Sequence, residues 1–269
     1  MKSHFRTLTI AGSDSGGGAG IQADLKTFSA LGCFGMSAIT ALTAQNTRVV
    51  TGIFPVPPQF IAQQMDAVLD DIGVDAVKIG MLHSPEVIKI VAQKLVEKKC
   101  PHIVLDPVMI SKSGDKLLQE DAVNALKKYL IPLASIITPN LPEASVLLDR
   151  RVETPEDMPG ASKDLSTLGC SNILVKGGHL TGESCADLLY QKKYDTITEY
   201  PGQRINTPNS HGTGCTLSSA IAANLAKGVD IKTAVNNSKI YIRGAIAAGA
   251  DYQTGEGHGP VNHFYDLWP

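Results

Sequence analysis

The segment Asn209-Ser210-His211-Gly212-Thr213-Gly214-Cys215-Thr216, followed by the small-residue apolar run Leu217 to Ala226, joins an anion cradle to a reactive group. Gly212 and Gly214 flank Thr213, so the backbone can turn tightly there and bring several N–H groups to bear on one point. The helix predicted from the apolar run adds the positive end of its dipole, and phosphate or a developing oxyanion would be held well. Cys215 falls in the first turn, where the same field favours thiolate and predicts a pKa below the ordinary value of about 8.5. It is therefore a candidate proton acceptor beside a phosphate. The same residue types also serve packing alone, since most cysteines behave as small buried hydrophobes.

A second glycine-rich turn, Ala11-Gly12-Ser13-Asp14-Ser15-Gly16-Gly17-Gly18-Ala19-Gly20, lies between a strand candidate and a helix candidate, the context of a ligand loop in an α/β protein. Gly18 to Ala23 fits the dinucleotide pattern GxGxxA, yet no Asp or Glu stands between Asp24 and Asp66 to hold a ribose. Nicotinamide binding is not expected, and no GxxxxGK[ST] is present to make a P-loop.

These two turns need elements to hold them. Strand candidates are Leu8 to Ala11, Met36 to Thr43, Ala76 to Ile79, His102 to Leu105, Ile136 to Thr138 and Ile173 to Val175. Helices are predicted to start near Ala19, Pro58, Pro85, Glu120, Leu141, Pro155, Gly214 and Ile231. This alternation is that of βα units on a mostly parallel sheet. Ala186 to Tyr190 and Thr196 to Pro201 read as a hairpin that would make the late sheet partly antiparallel. At 269 residues and 43% hydrophobic content, a single domain spanning 1–269 is expected.

In such sheets ligands bind outside the carboxyl ends of the strands, and each predicted strand delivers polar residues there. The second ends in Ala44-Gln45-Asn46-Thr47, the third in Gly80-Met81 and the fourth in Asp106-Pro107-Val108. The fifth ends in Thr138-Pro139-Asn140 with Glu143 three residues on, and the sixth in Lys176-Gly177-Gly178-His179. Each could be turn chemistry alone; their joint placement argues for a site.

Composition narrows the class. A net charge of −2 and an aromatic content of 5% leave no basic, aromatic-laced face for nucleic acid. Five scattered cysteines without a CxxC pair argue against a disulfide framework and structural zinc, and predict a reducing compartment. No apolar run has the length of a membrane span or signal core, so a cytoplasmic protein without membrane contact is expected.

With these residues in place, the chain resembles the ribokinase-like superfamily, and within it the hydroxymethylpyrimidine/phosphomethylpyrimidine kinases of thiamine biosynthesis. AGSDSGGGAGIQAD, TAQNT, GML, DPVM, TPNLPEA, KGGH, HGTGCT and the tail GEGHGPVNH occur in the family's order and spacing. The resemblance implies a central, mostly parallel sheet flanked by helices on both faces. It implies a kinase that phosphorylates 4-amino-5-hydroxymethyl-2-methylpyrimidine and then adds a second phosphate, using ATP and Mg2+, and a homodimer.

Carried over by position, Gln45 resembles the pyrimidine reader, and its amide complements an exocyclic amine beside a ring nitrogen. Asp24, Gly12, Met81 and Val108 match other substrate-pocket positions. Asp106 and Glu143, with Asn140 nearby, resemble the group that orients magnesium and its waters, without a fully protein-built cage. Lys176 would approach the nucleotide phosphates, and His211, Gly212, Thr213 and Gly214 would form the anion hole. Lys112 matches a mobile loop that would cover the site. Most ribokinase-like enzymes carry Asp where this chain has Cys215, as the pyrimidine kinases and some pyridoxal kinases do. A pyridoxal or pyridoxine kinase is the nearest competing reading, and Gln45 favours the pyrimidine. A Cys215–His211 hydrolase lacks an evident third group and leaves the second glycine-rich turn unexplained. A catalytically silent binding protein is disfavoured because Cys215, Asp106, Glu143 and Lys176 are all retained.

Overall fold

The computed structural model describes residues 2–109, 120–180, 182 and 185–268. Its main sheet has eight strands: β1 (Arg6–Ala11), β2 (Phe34–Ile39), β5 (Ala76–Ile79), β6 (Ile103–Leu105), β7 (Ile136–Ile137), β8 (Asn172–Val175), β9 (Asp187–Gln191) and β10 (Thr196–Tyr200). Their order is β10-β9-β8-β7-β6-β5-β1-β2. The pairs from β2 to β8 are parallel and the β9–β10 hairpin is antiparallel, as the turn at Gln191 to Asp195 predicts.

The strands read as continuous apolar runs because both faces of the sheet are covered. Successive residues alternate between two cores, as a period of two requires. Leu8, Ile10, Val77, Ile79, Ile103, Leu105, Ile137 and Ile173 face one core, beneath α2 (Pro58–Asp71), α3 (Pro85–Glu97), α4 (Glu120–Ala125), α5 (Leu141–Leu148) and α6 (Asp157–Leu165). Ala76, Val104, Ile136, Leu174 and Leu189 face the other, shared with α1 (Gly20–Ala30), α7 (Thr213–Ala226) and α8 (Ile231–Gly249).

One predicted strand is two. Met36 to Thr43 breaks at Thr40, and the chain leaves the main sheet to form β3 (Ala41–Gln45), which among the described residues pairs only with β4 (Val50–Pro55). Thr40 makes the corner: its N–H donates to Ala11 O at 2.9 Å, its hydroxyl to Met81 O at 2.9 Å, and its carbonyl accepts from Val56 N at 3.0 Å. The apolar pattern runs straight through this corner, so sequence periodicity does not reveal it. Gln45 therefore ends a separate hairpin rather than the second strand of the main sheet.

Candidate active site

α7 starts where it does because of Gly212, which caps it with φ +79 and sits so close to Gly18 that an added Cβ would overlap the Gly18 carbonyl. Among the described residues no side chain caps this helix; Thr213 N donates to Ser210 O at 3.4 Å and Thr216 N to Gly212 O at 2.9 Å, which leaves the N–H groups of Gly214 and Cys215 for an external acceptor. Thr213 turns its hydroxyl away, donating to Ser210 O at 2.8 Å.

Beneath that N-terminus lies a charged triad. A Cβ on Gly214 would stand 3.5 Å from Lys176 Nζ and 3.6 Å from Asp106 Oδ2, which locates the helix end directly above both. Lys176 Nζ donates to Asp106 Oδ1 at 2.8 Å and lies 3.8 Å from Glu143 Oε2. Thr138 donates to the same Asp106 oxygen at 3.1 Å and Ser218 to the other at 3.3 Å. Glu143 and Asn140 form a capping box at the start of α5, with Asn140 N donating to Glu143 Oε2 at 2.7 Å and Glu143 N to Asn140 Oδ1 at 2.8 Å.

Burial works to raise both carboxyls. At Asp106 the ammoniums of Lys176 and Lys78, together with the hydrogen bonds, overcome it and hold the group below the usual carboxylate range. At Glu143 burial wins, assisted by the Asp106 charge against Lys176, and the carboxyl is pushed up to about 7. Lys176 stays protonated: burial opposes its charge, but Asp106 and Glu143 raise it above the ordinary lysine value.

Cys215 does not have the lowered pKa expected of it. Burial pushes its thiol up, Lys78 and the Gly20 N–H oppose this, and Asp24 and Asp106 add to the rise. Desolvation outweighs the helix dipole here because neighbouring carboxylates partly cancel the positive field.

Asp24 was expected among the pocket residues, but it is 0% exposed. Its oxygens accept from Lys78 Nζ, both at 2.9 Å, from Thr9 at 2.6 Å and from Ser219 at 2.7 Å, so it is engaged inside the protein and presents no surface to a ligand. Gly12 faces Met81, whose Cε would lie 2.9 Å from an added Cβ, and Val108 is half-buried at the end of β6. Lys112 lies outside the described residues.

The His211 ring is engaged with the Ala11–Gly20 turn and the β3–β4 hairpin. Its Nε2 is 2.8 Å from Asp14 Oδ2 and 3.5 Å from the Gln45 side-chain amide, so the two glycine-rich turns and the β3–β4 hairpin meet at this ring. Asp14 also accepts from the N–H groups of Gly16 (2.8 Å), Gly18 (3.1 Å) and Ala19 (2.8 Å), folding the first turn around its carboxylate. Burial would raise this carboxyl, but the bonds from His211, Ala19 and Gly16 hold it low.

Asp14, Lys78, Ser218 and Ser219 were not singled out from sequence. Each carries a signal in retrospect. Asp14 stands two residues before Gly16, the spacing of an Asx-turn; Lys78 interrupts the apolar strand AVKI; and the serine pair interrupts an apolar helix.

The sequence pattern of the phosphomethylpyrimidine kinase family matches residues 14–262. The chain is 51% identical to the hydroxymethylpyrimidine/phosphomethylpyrimidine kinase of Rhizobium meliloti over 97% of each chain. It is 50% identical to a thiamine biosynthesis bifunctional protein of Geobacter sulfurreducens over 95% of this chain and 51% of that protein. Among solved structures, the ADP complex of Bacillus subtilis pyridoxal kinase superposes with a TM-score of 0.90 at 39% identity, covering 97% of this chain and 98% of that one.

Proposed function

The chain belongs to the phosphomethylpyrimidine kinase family, and from that premise we propose how its residues divide the work of the reaction. It is a kinase of thiamine biosynthesis with the ribokinase-like fold, phosphorylating 4-amino-5-hydroxymethyl-2-methylpyrimidine to the monophosphate and then the diphosphate. The observation that carries the assignment of roles is the Asp106–Lys176–Glu143 triad beneath the uncapped end of α7. Positive charge and free N–H groups converge there on a point that a transferring phosphoryl group can occupy.

ATP is the phosphoryl donor, supported by the ADP complex of the structural neighbour. Lys176 and the N–H groups of Gly214 and Cys215 bind the transferred group, while Asn140 and Thr213 border the nucleotide side. The donor set suits magnesium: Asp106 and Glu143 are hard oxygen ligands that flank Lys176. An ion held by two carboxylates and otherwise by water and phosphate oxygens is the usual magnesium arrangement. When bound, the ion neutralises charge on the phosphate oxygens.

Gln45 reads the pyrimidine edge, with Met81, Val108 and the bare Cα of Gly12 as walls. Cys215 receives the proton of the attacking alcohol. With its pKa raised, the thiolate form grows with pH, and Lys78 is the charge that favours it. The 1–269 chain is one domain and acts as a homodimer. Supporting the dimer, Leu42 and Phe54 form a cross-strand pair on the outer β3–β4 face, 46% and 66% exposed, with Phe60 nearby in sequence at 55%. A cytoplasmic setting is supported by five free cysteines, and no helix among the described residues is long and apolar enough to cross a membrane.

The test is ATP consumption over a panel holding the aminopyrimidine alcohol, its monophosphate, pyridoxine and pyridoxal. Turnover of both pyrimidines is expected. Turnover confined to the vitamin B6 alcohols would overturn the assignment. Gln45→Leu should weaken pyrimidine binding by about 1–3 kcal/mol through unpaired buried edges, with ATP binding unchanged.

A further inference from the structure

The two ends of the Gln45 amide are nearly the same size, but only one orientation fits its neighbours. Asp14 is 3% exposed, and among the described residues its carboxylate accepts from three backbone N–H groups and lies 2.8 Å from His211 Nε2. A carboxylate so placed is acceptor-only, so His211 Nε2 must carry a proton. The end of the Gln45 amide assigned as nitrogen stands 3.5 Å from that same Nε2. Two donors facing one another repel, whereas a carbonyl oxygen there is drawn to the Nε2–H, whose single proton is directed at Asp14, and shares it only as the long arm of a bifurcated contact.

Turning the amide over resolves the other end as well. The atom 3.3 Å from Thr43 Oγ1 becomes NH2 and donates to that hydroxyl, whose own proton is engaged with Ser13 O at 2.8 Å. Each end of the amide then keeps one unused valence for a ligand: a lone pair on the oxygen and one N–H on the nitrogen.

We propose that Asp14 and His211 are positioning residues that lock the Gln45 amide with its carbonyl toward His211 and its NH2 toward Thr43. The pocket is thereby committed to an aminopyrimidine edge, donor beside acceptor in one order, and against the 4-oxo edge in which both polarities are reversed. This rests on Gln45 being the pyrimidine reader and adds what fixes the direction in which it reads.

Calorimetry with the 4-amino alcohol and its 4-oxo analogue tests the lock. The wild-type chain should prefer the amino ligand by about 10- to 100-fold, since the oxo edge leaves buried groups unpaired. His211→Leu frees the amide to turn over, and the preference should fall to about threefold or less. A histidine that only packs would weaken both ligands alike and leave the ratio intact, which overturns the proposal. Because substitution at Asp14 also loosens the glycine turn, the tautomer is read directly in the unmodified protein by 15N NMR of the imidazole rings. A protonated Nε2 on His211 is expected; an unprotonated one overturns the lock. Gln45→Leu separates the two levels. If it leaves amino-ligand affinity unchanged, the reading of Gln45 itself fails. If it weakens that affinity while His211→Leu keeps the ratio, only the orientation fails.

Discussion

Glu143→Gln should make the ligand-free protein more stable at alkaline pH while impairing its activity. The carboxyl is buried and titrates at about 7, well above the ordinary glutamate value of about 4.3. Between those two values the folded chain keeps a proton that the unfolded chain has released. Stability therefore falls as pH rises through that window, and the full gap is worth on the order of 3 kcal/mol by pH 8. Glutamine removes the titration but keeps an oxygen to accept from Asn140 N, now at 2.7 Å. Lys176 keeps Asp106 as its partner at 2.8 Å. Urea unfolding at pH 5, 6, 7 and 8, without nucleotide or metal, should show the variant and wild type nearly equal at pH 5. The variant should draw ahead to as much as about 3 kcal/mol at pH 8. In activity assays it should need more magnesium for half-maximal rate and turn over more slowly. A stability difference independent of pH, or a variant that is the weaker protein at pH 8, would refute the placement of a strained, desolvated carboxylate at this point.

Cys215→Ala should depress the first phosphorylation by about 10²- to 10⁴-fold and the second far less, because the monophosphate nucleophile is already anionic; single-turnover rates from each substrate check this, and equal losses would mean the thiol is not the base. Lys78→Met strands a fully buried Asp24 and should cost about 3–5 kcal/mol in urea unfolding, most of it recovered in Lys78→Met/Asp24→Leu. A single-variant cost below about 1 kcal/mol would contradict the ion pair's burial. Gly212→Ala must place a Cβ against the Gly18 carbonyl at φ +79, so both phosphorylations should fall together by about 10²-fold or more, and an active variant would show that the α7 N-terminus is not the anion hole.

The sequence by itself determined the scaffold and gathered the candidate residues at one end of its strands. The apolar runs ending in Asp106, Thr138 and Lys176 mark buried parallel strands, and strands of one sheet must release their ends on one side. The glycines of HGTGCT declared a helix entrance that no side chain could share. The Asn140–Glu143 capping box was within reach of the sequence, because both partners lie within one turn, but it was recognised only in the structure. What spacing could not show were relations between segments far apart in the chain. Thr40 breaks an unbroken apolar pattern because Ala11 and Met81 offer it carbonyls. Asp24 is buried against Lys78 and Ser219, and His211 is drawn to Asp14, 197 positions away, to stand beside Gln45. The sign of the Cys215 shift was likewise decided by tertiary structure. A helix dipole can be read from sequence, but desolvation and the charges of Asp24, Lys78 and Asp106 exist only once the chain has packed around the thiol.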